Sequence, residues 1–261
     1  MKKRIWELDF LRGFAIIMMV FDHLMYDFMF MPGFFSNFRT VDNSVFNFLN
    51  DIASKYWVSE LRFFGHLFFI TVFLVVSGIS YTFSKNNLSR GLKLGIVALL
   101  INLITFGLNY AINGTLIIFG IIHLYSASII LIYFIRKLVK NEIVLLVIAL
   151  VIIGAGIPLK FYDPDYLARF EWKDLPAIII GFKAYGADYF SIIPYMGLIL
   201  LGTVIGNTFY VNKVSLIPSV NMSEKNIFSI AGRKSLLIFV THQVVLIALV
   251  FLVGYIFGYR F

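Results

Sequence analysis

Seven long apolar runs constrain the fold of this chain more than any other feature. Each is about 20 residues long, enough to cross a hydrocarbon core of about 30 Å as a helix. Their apolar residues are continuous rather than alternating, which favours helices over a β-barrel because a helix satisfies its own backbone in lipid. The predicted helices cover 7–30, 59–84, 91–112, 116–136, 142–159, 190–210 and 234–257. Since 60% of the residues are hydrophobic, we predict an all-α, polytopic membrane helix bundle with about seven transmembrane helices in one domain, residues 1–261.

The distribution of basic residues predicts the orientation of this bundle. Thirteen Lys and Arg residues fall in segments on the same side as the N-terminus, against eight on the other side. This excess predicts a cytoplasmic N-terminus and explains the net charge of +8 without a nucleic-acid partner. The absence of cysteine excludes disulfides, thiolate metal sites and a cysteine nucleophile. We expect a multi-pass protein of the plasma membrane, surrounded by lipid, and a homodimer is compatible with the sequence.

A line of polar residues runs along the first predicted helix. Arg12 and His23 are eleven residues apart, which places them on one face and about 16 Å apart along the axis. Asp9 and Asp27 extend the same line by one turn at each end, whereas Asp22 points about 100° away and is the less favoured partner. Charged groups in membrane helices usually face the bundle interior or a wet cavity, so the line is a functional hypothesis. The alternatives are a snorkelling anchor for Arg12 and a structural hydrogen bond for His23 with Asp27.

All four histidines of the chain fall inside predicted helices. They are His23, His66, His123 and His242. The first three lie about seven residues from the outer ends of their helices, or about 10 Å deep, which predicts a shared level and a cavity open to the outside. His242, followed by Gln243, lies about seven residues from the inner end of the last helix.

Histidines at one level are compatible with two kinds of chemistry. Three imidazoles could bind zinc with an open position for water, but no metal-binding spacing supports this and we expect no metal. The preferred hypothesis is a histidine general base whose tautomer is fixed by a carboxylate. On the first helix, Asp27 is placed to fix His23 in this way.

Small residues and asparagines indicate how the helices pack. The motif SGIS at 77–80 and the glycines at 197, 202 and 206 predict close helix contacts. Asn102 and Asn109 are predicted to form interhelical hydrogen bonds. Two long outer loops, 31–58 and 160–189, carry most of the sequence outside the helices, and LPAIIIGF in the second is compatible with a position in the membrane interface.

Several blocks of the sequence resemble a known family. An arginine, ten residues and a histidine on the first helix resemble the signature of transmembrane acyltransferases that modify cell-surface glycans. Five blocks resemble, in order, bacterial proteins related to the heparan-alpha-glucosaminide N-acetyltransferase catalytic domain. These blocks are RIWELDFLRGFAIIMMVFDHLMYDF, LFFITVFLVVSGISYTFS, FGIIHLYSASIIL, ADYFSIIPYMGLILLGTVIG and AGRKSLLIFVTHQVVLIAL. The chain departs from the pattern in two places, because Val244 replaces a proline and loop 31–58 contains no histidine.

The resemblance implies a membrane-embedded acyltransferase. It would move an acyl group, acetyl above all, from cytosolic acyl-CoA to a hydroxyl or amine of an extracytoplasmic glycan or lipid-linked sugar. His23 would be the catalytic histidine, as base or transient acyl carrier. Arg12 would be its partner near the CoA phosphates, since arginine suits phosphate groups. We assign Asp9, His242 and Gln243 to the donor side with Arg12.

The remaining assignments concern the acceptor. Asp27 would orient the catalytic histidine, and four further residues are assigned to acceptor binding: His66, His123, Asp188 and Tyr189. Two other functions are compatible with intramembrane Asp and His residues. The first is a proton-coupled transporter or permease, although no inverted repeat is visible. The second is a structural membrane protein whose polar residues only join helices.

Overall fold

The computed structural model is all-helical over the residues that it describes, 5–110, 114–161, 164–220 and 226–260. Ten α-helices occur in these ranges: α1 (Trp6–Phe34), α2 (Ser44–Trp57), α3 (Glu60–Tyr81), α4 (Asn87–Asn109), α5 (Ile121–Leu138), α6 (Glu142–Ala155), α7 (Leu175–Ile180), α8 (Tyr195–Phe209), α9 (Ile227–Arg233) and α10 (Ser235–Ile256). A short 3-10 turn, Trp172–Asp174, precedes α7. The chain divides into two compact units, 1–73 with 215–261 and 74–214.

Each of the seven predicted helices has a counterpart in the structure. Five of them, α1, α3, α4, α5 and α10, are long and apolar enough to cross a membrane, which makes the chain a multi-pass membrane protein. The other two, α6 and α8, have 14 and 15 residues and are shorter than a typical span. Seven crossings and a cytoplasmic N-terminus therefore stay predictions. Four residues that support the orientation, Lys2, Lys3, Arg4 and Lys225, lie outside the described residues.

Asparagine side chains start several of the helices. Asn43 accepts hydrogen bonds from two backbone N–H groups at the start of α2, and Asn141 and Asn226 do the same for α6 and α9. Asn86 accepts one at the start of α4. Asparagine is a preferred N-cap because its side-chain oxygen satisfies an N–H that the helix leaves without a partner. The cap at Asn43 creates a helix inside the predicted outer loop 31–58.

In the first unit, α1 is the element that the others contact. It crosses α9 where both helices have glycine: a Cβ on Gly13 would lie 1.7 Å from the Phe228 oxygen. Likewise, a Cβ on Gly232 would lie 1.8 Å from the Asp9 oxygen. No side chain fits at either position, so these two glycines allow the two backbones to touch.

Two further helices flank α1 in this unit. The contacts with α10 advance together along both helices, from His23 against His242 to Phe34 against Phe251, so α1 and α10 run parallel. This is the direction expected of first and last helices when the number of crossings is odd. An aromatic cluster packs Phe35 and neighbouring side chains against Tyr259 after the end of α10. The α1 contacts with α3 advance in opposite directions, so that pair is antiparallel.

In the second unit, small residues and one ion pair join the helices. A Cβ on Gly78 of α3 would lie 2.1 Å from the Ile199 oxygen of α8, and a Cβ on Gly202 would meet α3 equally closely. The predicted close packing of these glycines is confirmed. Arg136 at the end of α5 binds Glu142 of α6 through two hydrogen bonds of 2.8 and 2.9 Å.

An extended segment, residues 114–119, precedes α5 where the sequence predicts a helix from residue 116. Side chains of α4 hydrogen-bond its backbone: Asn109 and Thr105 accept from N–H groups, and Asn102 donates to a carbonyl. The predicted interhelical hydrogen bond is confirmed for Asn102, whose Oδ1 contacts His123 Nε2 of α5, whereas Asn109 bonds backbone N–H groups before α5 instead. Both asparagines bond the segment before α5. They satisfy non-helical backbone, which must find partners within the protein when it lies next to membrane helices.

Candidate functional site

Two histidines of the first unit lie against each other. The rings of His23 on α1 and His242 on α10 are 4.7 Å apart between centroids and nearly perpendicular. His23 Nδ1 lies 2.9 Å from the Met19 oxygen and His242 Nδ1 lies 2.7 Å from the Phe239 oxygen. Because a carbonyl only accepts, both Nδ1 atoms carry the proton and both Nε2 atoms keep a lone pair. The sequence assigned these histidines to separate tasks, but the structure brings them together.

Asp27 does not orient His23. Its Oδ1 accepts a hydrogen bond of 2.8 Å from Gln243 Nε2, one residue after His242. The Met19 carbonyl takes the place that the sequence gave to the carboxylate, because a histidine on a helix can donate to the carbonyl of the preceding turn. The predicted pairing is therefore wrong, although Asp27 is fully buried and lies in the same α1–α10 contact.

The α1–α10 contact contains buried acceptor atoms that have no donor. His242 Nε2, Asp27 Oδ2 and Gln243 Oε1 are buried and make no hydrogen bond within the described part of the chain. All three atoms accept hydrogen bonds in these forms, and burying such a group without a partner costs about 1–3 kcal/mol. The arrangement is thus suited to a group that brings a donor, such as a hydroxyl or an amine. No group of three or more candidate metal ligands occurs among the described residues.

Arg12 and Asp9 form an ion pair at the other end of the polar line. Arg12 Nη1 lies 3.3 Å from Asp9 Oδ1 and 3.5 Å from the Gly232 oxygen of α9. Since α1 is continuous between Arg12 and His23, their separation along the axis is about 16 Å. The arginine is thus held beside the crossing of α1 and α9, at a distance from the two histidines.

Sequence reasoning missed a cluster around Asp22. Its carboxylate accepts hydrogen bonds from Tyr56 of α2, at 3.1 Å, and from Arg62 of α3, at 3.1 and 3.2 Å. His66 Nδ1 lies 3.5 Å from Asp22 Oδ2. The helical period correctly places Asp22 away from the His23 face, but it does not say which elements lie on that side. The sequence did contain a signal for this cluster. An aspartate and an arginine both fall in predicted membrane helices, where charged side chains usually pair.

Three of the four predicted acceptor residues belong to the second unit: His123, Asp188 and Tyr189. Nδ1 of His123 accepts the Gly120 N–H at 3.2 Å, and its Nε2 contacts Asn102 Oδ1. Asp188 Oδ2 accepts the Ile121 N–H at 3.2 Å, at the start of α5. His123 and Asp188 thus cap α5, and the level that His123 was predicted to share with the other histidines stays a prediction.

Tyr189, the last predicted acceptor residue, is tied to a neighbouring turn. Its hydroxyl donates a hydrogen bond of 2.9 Å to the Ile178 carbonyl in α7. Burial raises its pKa to about 12, so the hydroxyl stays protonated and keeps this bond at neutral pH. The bond fixes the loop that carries both Asp188 and Tyr189.

Comparison with known proteins gives one match. A family model described as heparan-alpha-glucosaminide N-acetyltransferase, catalytic, matches residues 4–244. Neither the curated proteins nor the solved structures contain a significant match. The matched range begins before α1 and extends into α10, so it includes the four histidines, Arg12 and the cluster around Asp22.

Proposed function

We propose, from the premise that the chain belongs to the heparan-alpha-glucosaminide N-acetyltransferase catalytic-domain family, that it is an acyl-CoA-dependent transmembrane acyltransferase. The donor is a cytosolic acyl-CoA, acetyl-CoA above all. The acceptor is a hydroxyl or amine of an extracytoplasmic glycan or lipid-linked sugar, and the protein works in the plasma membrane. The observation that carries the proposal is the pair of imidazoles, each with its Nε2 lone pair available between α1 and α10.

An available Nε2 can serve acyl transfer in two ways. As a base, His23 takes the proton of the acceptor while the acceptor oxygen or nitrogen attacks the thioester carbon. As a nucleophile, it forms the bond to that carbon itself and releases the CoA thiolate. In either case the backbone carbonyl at Met19 keeps the proton on Nδ1 and so presents Nε2 to the reacting group.

The position of Arg12 supports a donor that lies along α1. A guanidinium binds phosphate through several donors in a fixed plane, so it suits the phosphates of CoA. The axial distance of about 16 Å between Arg12 and His23 is comparable with an extended pantetheine arm. One end of α1 would therefore hold the head group while the other meets the thioester.

A test uses purified protein in lipid nanodiscs with acetyl-CoA as donor. Glucosamine serves as the amine probe and octyl glucoside as the hydroxyl probe, and thiol release and acetylated product are both measured. We expect transfer by the wild type and a loss of about 10²–10⁴-fold in His23→Ala, the range of a proton-transfer group. Arg12→Lys should raise the KM for acetyl-CoA more than it lowers kcat, because it leaves the reacting groups in place.

Two results would contradict the proposal in different ways. Turnover that is unchanged in His23→Ala would remove the histidine pair as the site but leave the activity. A wild type that neither binds acetyl-CoA nor releases thiol would favour a proton-coupled transporter or a structural membrane protein. Proton flux into liposomes that contain the protein would then separate these two alternatives.

A further inference from the structure

We propose that His66, oriented by Asp22, is the general base that accepts the proton of the acceptor. This inference rests on the proposed acyl transfer and moves one step of it, removal of the acceptor's proton, from the His23–His242 pair to His66. Within the part of the chain that the structure describes, His66 is the one of the four histidines whose ring contacts a carboxylate, with Nδ1 3.5 Å from Asp22 Oδ2. A carboxylate accepts hydrogen bonds, so it favours the tautomer with the proton on Nδ1 and the lone pair on Nε2.

A carboxylate partner suits a base better than a carbonyl partner does. A base becomes an imidazolium when it takes a proton, and charge-assisted hydrogen bonds are roughly twice as strong as neutral ones. His66 has the carboxylate of Asp22 within 3.5 Å of its Nδ1, whereas among the described residues His23 and His242 hydrogen-bond to main-chain carbonyls. Arg62 offsets part of the Asp22 charge. The carboxylate therefore orients the His66 ring and also stabilises the imidazolium, with the part of its charge that Arg62 does not offset.

The cluster holds the Asp22 carboxylate in place from two helices, α2 and α3. Arg62 binds both of its oxygens and lies over the Trp57 ring at 3.8 Å. Tyr56 donates to Oδ1, and burial together with the Asp22 charge raises the pKa of this tyrosine to about 12, so it stays a donor at neutral pH. Three donors from α2 and α3 therefore fix the group that in turn orients His66.

The His66 side chain is also accessible to an acceptor. It retains 38% side-chain exposure, although its Nδ1 faces a carboxylate with only 11%. It shares the α1-facing side of α3 with Arg62 and Phe69, while Leu61, Phe64 and Phe68 occupy the opposite, exposed side. The exposed part of the ring is thus beside the polar contacts of α1 and not on the apolar stripe that suits lipid.

The assignment gives a balanced step. The O–H or N–H bond of the acceptor breaks, its proton goes to His66 Nε2, and the acceptor atom forms a bond to the acyl carbon. The bond from that carbon to its carrier breaks, and the electron pair returns to the CoA sulfur or to His23 Nε2. His66 then releases the proton to the CoA thiolate. This forms the CoA thiol and regenerates the base.

Chemical rescue distinguishes a base from a structural side chain. The experiment measures acetyl transfer from acetyl-CoA to glucosamine and to octyl glucoside in nanodiscs, with acetyl-CoA binding measured in parallel. We expect His66→Gly to lose transfer by about 10²–10⁴-fold, to keep acetyl-CoA binding, and to recover with added imidazoles in the order of their basicity. His66→Gln retains a polar contact for Asp22 but has no base, so it should be as inactive as His66→Gly without rescue.

Two further variants test the positioning by Asp22. Asp22→Asn should lower kcat by about tenfold or more while the KM for acetyl-CoA stays the same, since it disturbs the tautomer and not the donor site. Asp51→Asn is the matched control because it alters an exposed ion pair with Lys55 on α2, outside the Asp22 cluster, so its kcat should stay close to that of the wild type. Thermal melting and size-exclusion profiles verify that each variant folds.

The outcomes separate this inference from the proposed function. Full transfer by His66→Gln, or a loss in His66→Gly that imidazoles do not restore, would overturn the assignment of the base while wild-type activity upheld the acyl transfer. Absence of transfer and of acetyl-CoA binding in the wild type would overturn the proposed function, and this assignment with it.

Discussion

The histidines of the two units use their ring nitrogens differently. In the second unit, both nitrogens of His123 have partners, a backbone N–H and an asparagine oxygen. In the first unit, His23 and His242 each use Nδ1 alone, and Nε2 of His242 is buried without a partner among the described residues. A histidine with both nitrogens bonded stabilises the fold, whereas one with an idle buried nitrogen costs stability and is available for chemistry.

The most direct test of this comparison is His242→Phe, which keeps an aromatic ring and removes the buried nitrogen that has no partner. We expect transfer to fall by roughly 10²-fold, the low end for a proton-transfer group. The melting temperature should stay the same or rise, because a buried acceptor without a donor is removed. A clear decrease in melting temperature with unchanged transfer would show that His242 is structural.

The converse variant is His123→Phe. It leaves the Gly120 N–H and the Asn102 oxygen without their partner, which should lower the free energy of unfolding by about 1–3 kcal/mol. Transfer per folded molecule should not change. Thermal melting in nanodiscs, together with turnover normalised to folded protein, checks both expectations, and lost turnover in fully folded protein would contradict them.

A smaller effect is expected from Asp188, which caps the same helix. Burial raises the pKa of this carboxyl from 3.8 to about 7, although the Ile121 N–H opposes the shift. Between pH 4 and 7 the folded protein therefore holds a proton that the unfolded chain has released, so stability should fall as pH rises through this window.

Melting temperatures at pH 5 and pH 8 test this dependence. In the wild type the change should be on the order of 1 kcal/mol, since the residue as a whole is only partly buried. Asp188→Asn should flatten the profile, whereas Asp51→Asn, which alters an exposed pair with Lys55, should not. An equal pH dependence in wild type and Asp188→Asn would exclude this carboxyl as the cause.

The smallest effect is expected from Asp27→Asn. An asparagine oxygen can still accept from Gln243, and the orientation of His23 depends on the Met19 carbonyl. Transfer should therefore stay within roughly threefold, or about 0.6 kcal/mol, of the wild type. A loss of two orders of magnitude would restore the sequence-based prediction that Asp27 serves the catalytic histidine.

The sequence predicted the helices well because apolar length is a local property. All seven predicted helices occur, and the largest errors in where a helix begins are five residues, at α8, which starts at Tyr195 instead of residue 190, and at α5, which starts at Ile121 instead of residue 116. The error at α5 has a tertiary cause, since the extended segment 114–119 is stabilised by side chains of α4 that lie apart in sequence. Helix α2 was missed, although Asn43 followed by an amphipathic pattern is a readable start signal.

The candidate site was only partly predictable. The period of a helix places Asp9, Arg12 and His23 on one line, and in the structure the first two form an ion pair. The same period cannot say that His242 lies opposite His23, or that Arg62 and His66 meet Asp22. Those contacts join residues far apart in sequence, and no local pattern relates the positions of two helices.

By itself, the sequence determined a multi-pass helical membrane protein with polar groups on its first helix and a pattern that resembles one acyltransferase family. These properties follow from composition, helix length and the spacing of residues within one helix. Only the tertiary structure decided which nitrogens and carboxylates have partners. The physical reason is that the role of a buried polar group depends on the groups that it contacts. The close packing at the paired glycines of α1 and α9 helps to set those contacts.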